Sequence, residues 1–270
     1  MLTIDWKERL NKDTDDYLQT KLPNRDYDFE IIFIAYPERV NGKIPNEVIV
    51  HVANTILQRL GKTHEQYQSF FRYLWTKKGE YGKLAFTQMM SKLLPKKPGL
   101  YFPMLEEYLK SANQQELSSV MDKVMLPLLR KSPEKYLDYL YTWSKADNPL
   151  LRKLAMNTAI KLIKKVPELT GQVFMHYQHQ WYYPLGDMQS EQITLIKAVA
   201  KLDTELYRKI FLELENNRDP QIVEILCASI QDYDADLERI VENWTKSGNA
   251  KVKKAALTAQ RVLIKKKGSK

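Results

Sequence analysis

Two sets of basic residues keep the same spacing in this chain. Lys145, Arg152, Lys153 and Lys164 lie in and just after "TWSKADNPLLRKLAM", and Lys246, Lys253, Lys254 and Lys265 follow the same pattern about a hundred residues later, from "NWTKSGNAKVKKAAL" onward. Ammonium and guanidinium groups in a repeated register suit one kind of chemistry, the neutralisation of a phosphate backbone. Lys153 and Lys164 sit at i and i+11, as do Lys254 and Lys265, so on a helix each pair shares one face, away from the apolar stripe. A single such lysine is explained as well by a solvated outer face. The repetition and the local charge favour a polyanion-binding face for the set.

That local charge is segregated. Lys plus Arg against Asp plus Glu number 9 and 11 over residues 1–71, 18 and 8 over 72–165, 7 and 14 over 166–250, and 8 and 0 over 251–270. The two basic zones contain the two copies of the motif. Placed on one concave surface, they would track a polyanion.

The elements that position these residues are helices. Leu151, Leu154, Ala155, Thr158, Ala159, Leu162 and Ile163 form a stripe at three- and four-residue steps, and Val252, Ala255, Ala256, Ala259 and Leu263 repeat it. Helix starts are readable before each copy, at Ser132-Pro133-Glu134 and at Asp234, and a Thr63 to Gln66 capping box is expected further upstream. Gly79, Asn113, Asn148, Asp187, Asp219 and Asn249 mark turns at steps of 34, 35, 39, 32 and 30 residues. That period suits stacked helical pairs, each burying its apolar face on the next. The expected fold is therefore all-α, a HEAT-like α-solenoid with a concave face. Residues 46–265 form the repeats and 266–270 a basic tail. Residues 1–45 are expected to cap the array, with "DYDFEIIFIAY" readable as a strand or as a short buried helix.

Other chemistries find little support. No apolar run reaches the roughly 18 residues of a membrane span, and the N-terminus lacks an apolar secretory stretch, so the expectation is a cytoplasmic protein that does not engage a membrane. The single cysteine, Cys227, lies in an apolar helix and reads as a buried, inert thiol. His176 and His179 lack a third metal ligand nearby, and the alternating aspartates of "DYDADLE" lack the glycine of a calcium loop. No metal and no cofactor is expected. Trp181, Tyr182 and Tyr183 form an aromatic cluster that serves either packing between repeats or stacking on bases.

The stretch "YFPMLEEYLKSANQQELSSVMDKVMLPLLRKSPEKYLDYLYTWSKADNPLLRKLAM" resembles the middle of the AlkD-like DNA glycosylases, helical-repeat proteins that excise alkylated bases. The likeness rests on the "FxxLEE" helix, the "KSPE" helix start and "WSKADNPLLRKLA", and it extends upstream through "RYLWTKKGEYGKLAFTQMM". It implies a basic cradle for duplex DNA. By residue type and position, Trp143 and Trp181 are expected to be the aromatic residues near the site. In that family an aspartate flanked by tryptophans works beside an arginine. Here the arginine position falls on Lys153, with Arg152 adjacent. The tryptophan-rich turn corresponds to "SANQQEL", which holds no aromatic residue. An ungapped match puts Ser118 at the aspartate, and Asp122, one helical turn later, is the candidate catalytic carboxylate. The expectation is a DNA-binding relative of alkylation-repair glycosylases, with excision itself open. The alternative is a helical scaffold whose groove takes a protein partner.

Overall fold

A computed structural model describes residues 4–77 and 79–268. Its regular elements are helices, and the only β pairing among the described residues is an isolated bridge between Val40 and Lys43. The all-α expectation holds. Lys78, Ser269 and Lys270, the last two belonging to the expected basic tail, lie outside the described residues.

The chain divides into two compact units, residues 1–128 and 129–270. In the first, α1 (Ile4–Thr20) packs on α2 (Asn46–Leu60), and α4 (Glu80–Leu93) packs on α2 and on α3 (Gln68–Thr76). α5 (Pro98–Leu109) and α6 (Gln114–Val120) also pack on α4. The segment with two readings resolves as a 3-10 helix, Phe29–Phe33, with Phe29, Ile32 and Phe33 buried. Helix α4 approaches α3 closely because Gly82 has no side chain: a Cβ there would stand 2.3 Å from the Leu74 carbonyl oxygen.

After α6 the helix widens into a π turn, Met121–Met125, and continues as α7 (Leu126–Lys131). Leu126 N–H reaches back five residues to the Met121 carbonyl. Pro127 follows at once, and a residue without an N–H cannot continue the ordinary ladder. Asp122 is thus displayed on an irregular turn.

In the second unit α8 (Pro133–Trp143) packs on α9 (Pro149–Ile163), and α10 (Thr170–Gln178) leads to α11 (Gln189–Leu202). α12 (Thr204–Glu213), α13 (Pro220–Ser229), α14 (Ala235–Thr245) and α15 (Ala250–Lys267) complete it. One layer runs α9, α11, α13, α15, each packed on the next, while α12 packs on both α11 and α14 and α14 on α15. Trp75, Trp143 and Trp244, at the ends of α3, α8 and α14, are buried core residues. Cys227 is also buried, and burial pushes its thiol up to about 12, which leaves it inert at neutral pH.

The marker residues owe their recurrence to capping. Asn113, Asn148, Asp219 and Asn249 each accept two backbone N–H groups of the following first turn. Gly79 starts α4 at φ 133°, a conformation that side chains rarely adopt. Two expected starts differ. Thr63 makes no capping box, because it lies in a 3-10 turn, Gly61–Tyr67, and its hydroxyl donates back to the Leu60 carbonyl at 2.7 Å. Ser132 precedes α8 without a side-chain cap bond, and Pro133 alone marks that start. Asp234 caps α14 as expected.

Candidate nucleic-acid interface

Helices that lie about 35 residues apart in the chain are tied to one another at their starts. In the second unit Arg152, in the first turn of α9, donates to Asp187 Oδ1 at 3.1 Å, just before α11. Gln189, opening α11, donates to Glu224 of α13 at 3.2 Å. Gln221, in the first turn of α13, bonds Trp181 O, Tyr183 O and Leu185 N of the loop before α11. These partners stand 35 to 40 residues apart. The N-termini of α9, α11 and α13 therefore share one edge.

The first unit has a comparable edge. Lys43, before α2, pairs with Glu80 of α4 at 2.8 Å, and Lys83 of α4 pairs with Glu116 of α6. A cleft of about 690 Å³ opens there, lined in part by Lys43, Glu80, Lys83, Glu116, Ser119 and Lys123. Helix N-termini carry a partial positive charge that favours anions. In this cleft the Glu80 and Glu116 carboxylates already meet much of it.

The anticipated basic residues fall into three groups. Lys145, Arg152 and Lys153 come together around the start of α9. Arg152 also donates to the carbonyls of Ala146 and Asp147 at 2.9 and 3.0 Å, which fixes the turn that presents Lys145. Lys153 lies 3.8 Å from Asp187 Oδ2. The Arg152 guanidinium, with Lys153 assisting, holds the Asp187 carboxyl below its ordinary value. Lys253 and Lys254 occupy the matching turn of α15, exposed and without an ion pair among the described residues, while Lys246 pairs with Glu242 at 3.3 Å. Lys164 caps the far end of α9, and Lys265 lies near the end of α15. At a rise of about 1.5 Å per residue, each stands roughly 16 Å along its helix from Lys153 or Lys254. Shared register therefore places them on one face but not at one point.

The aromatic candidates are not available to a ligand. Trp143 and Trp181 are 4% and 1% exposed, and the Trp181 indole donates to Gln192 Oε1 at 2.9 Å. Their neighbours Tyr182 and Tyr183 are the exposed members of the cluster. Asp122 and Ser118 belong to the first unit, Asp122 exposed on the π turn and Ser118 half-buried in α6. No group of three metal-ligating side chains occurs among the described residues, and no helix is long and apolar enough to cross a membrane. Asp187 is the residue of this candidate site that sequence reasoning missed. It stood out only as a turn marker, and its pairing with Arg152 spans 35 residues.

Neither the curated proteins nor the solved structures include a match to the chain. A family model described as DNA alkylation repair enzyme matches residues 43–180, just over half of the 270, from the turn before α2 through α10. The stretch it covers includes α6 with its π turn and the basic start of α9, and the chain belongs to the family of DNA alkylation repair enzymes.

Proposed function

We propose that this protein binds duplex DNA as part of alkylation-damage repair, holding the phosphate backbone with basic residues that open its second helices. The observation that carries this reading is the repeated N-terminal turn of α9 and α15. In each, an asparagine caps the helix, one basic residue stands three positions before it and two follow it in the first helical turns: Lys145, Arg152 and Lys153, then Lys246, Lys253 and Lys254. α9 and α15 are the first and last members of one packed layer, α9–α11–α13–α15, so the basic turns flank the acidic stretch between them. Contacts of this kind supply affinity and register with little sequence preference.

A mobility-shift assay with Lys145, Lys153, Lys253 and Lys254 all changed to Glu tests the reading. The four side chains are exposed or half-buried and Arg152 keeps its turn, so the variant is expected to fold. Loss of the shifted band with an unchanged far-UV spectrum is expected. Retention of wild-type affinity would rule these positions out.

A further inference from the structure

Exposed aliphatic side chains scattered singly over a surface are ordinary. Two pairs in this chain are not scattered, because each is held in register by its helix. Phe29–Phe33 is a 3-10 helix, and Ile34 after it keeps helical angles, φ −58° and ψ −44°. In that winding residues three apart eclipse one another. Phe29 and Ile32 go inward together, and Ile31 and Ile34 stand outward together, 41% and 73% exposed. On α15 the buried stripe is Val252, Ala256, Ala259 and Leu263, while Leu257 and Ile264, seven residues apart, share the solvent side at 40% and 61%.

The charges around the two pairs are of opposite sign. From Asp26 to Glu38 the chain holds four carboxylates and no lysine or arginine. Asp26 and Asp28 are paired with Lys21 and Lys77, while Glu30 and Glu38 have no ion pair among the described residues. Arg39, the next cation, is turned onto the Phe33 carbonyl at 3.2 Å. Residues 251–270 hold eight Lys and Arg and no Asp or Glu. Lys266 and Lys267 reach back to Asp232 and Glu238, whereas Lys253, Lys254 and Arg261, which flank Leu257 and Ile264, have no ion pair among the described residues. A polyanion would account for those cations but not for the aliphatic side chains between them. An apolar centre with a charged rim is the anatomy of a protein interface, and the sign of the rim selects the surface it meets.

We propose that the two surfaces bind each other between copies of this chain. Ile31 and Ile34 of one copy pack on Leu257 and Ile264 of another, with Glu30 and Glu38 facing the cations of α15. The contact joins unlike surfaces, since α15 against a second α15 would bring like charges together. Two aliphatic residues a side make a small interface, so the association is weak and falls with salt. The inference goes beyond the DNA-binding reading and does not rest on it. Lys253 and Lys254 are common to both, and the variants below leave them unchanged.

Sedimentation equilibrium of the full chain without DNA tests this. At low salt the weight-average mass of the wild type is expected to rise above that of one chain as protein concentration increases, and to return to it at high salt. Ile31→Ser/Ile34→Ser and Leu257→Ser/Ile264→Ser, with far-UV spectra unchanged, are each expected to stay at the mass of one chain, because each keeps only one of the two surfaces. An equimolar mixture of the two variants restores one intact pair of surfaces and is expected to reach the mass of two chains and no more. A wild type that stays a single chain at every concentration, association that high salt leaves undiminished, a variant that still associates alone, or a mixture that does not associate would each overturn the proposal.

Discussion

At the scale of single residues, the site turns on who pairs with whom. Asp187 ties up Arg152 and approaches Lys153, and it is itself exposed enough for solvent to screen the pair. Asp187→Asn removes a negative charge from the edge proposed to face DNA and releases both cations. The expected result is several-fold tighter duplex binding at low salt with little change in melting temperature, read by anisotropy and calorimetry. Because the Asp187 pKa is depressed, its pairing is complete above the ordinary carboxylate range and is lost only as pH falls through the lowered value. DNA affinity between about pH 5 and 8 should therefore not track this group. Asp122 is the exposed carboxylate on the helix where the family resemblance expects catalysis. Any release of 3-methyladenine or 7-methylguanine from alkylated duplex is expected to vanish in Asp122→Asn, since a carboxylate stabilises the developing positive charge and an amide does not. Release that persists would assign the chemistry elsewhere. The basic residues were legible in the sequence because they recur in register. Asp187 was not, because a partner one repeat away leaves no local trace.

At the scale of elements, the turns that recur along the chain are helix caps. Asn148→Ala and Asn249→Ala each remove an acceptor from two first-turn N–H groups, and each is expected to cost about 1 kcal/mol in urea unfolding. An unchanged midpoint would show that solvent satisfies those donors equally well. Gly82→Ala has a different cause and a larger expected effect. Its new Cβ would meet the Leu74 backbone oxygen at 2.3 Å, so α3 and α4 must separate, at a cost of roughly 1–3 kcal/mol. Capping was readable because it is chemistry between neighbours in sequence, and helices because their apolar stripes are long. Thr63 shows the limit: its motif fits a capping box, yet the backbone there winds as a 3-10 turn and the hydroxyl turns back to Leu60. Phe29–Phe33 shows another, since a run of five apolar and acidic residues is too short to display any period. Trp143 and Trp181 were assigned near the site by residue type, and their burial followed from packing that no local pattern reports.

At the scale of the whole molecule, the division at residues 128 and 129 had no signature in the sequence, because the basic zone 72–165 runs across it without a change of composition. Each unit carries histidines whose protonation burial disfavours: His51 and His64 in the first, and His176, stacked 3.5 Å from Tyr141, in the second. A lowered histidine pKa contributes stability that is complete above about 6.5 and lost as pH falls toward the folded value. Melting temperature is accordingly expected to fall between pH 7 and pH 5, and His176→Phe to reduce the loss attributable to the second unit. The central claim, that the repeated basic turns hold a phosphate backbone, also has a whole-molecule signature. Displacing counterions from DNA makes the logarithm of the binding constant fall linearly with the logarithm of salt concentration, by nearly one for each phosphate neutralised. Duplex binding by the full chain, titrated across salt, is predicted to show a slope of several units. The charge-reversed Lys145, Lys153, Lys253 and Lys254 variant should flatten that slope by about four. Binding that is absent at micromolar protein, or present with no dependence on salt, would contradict the account.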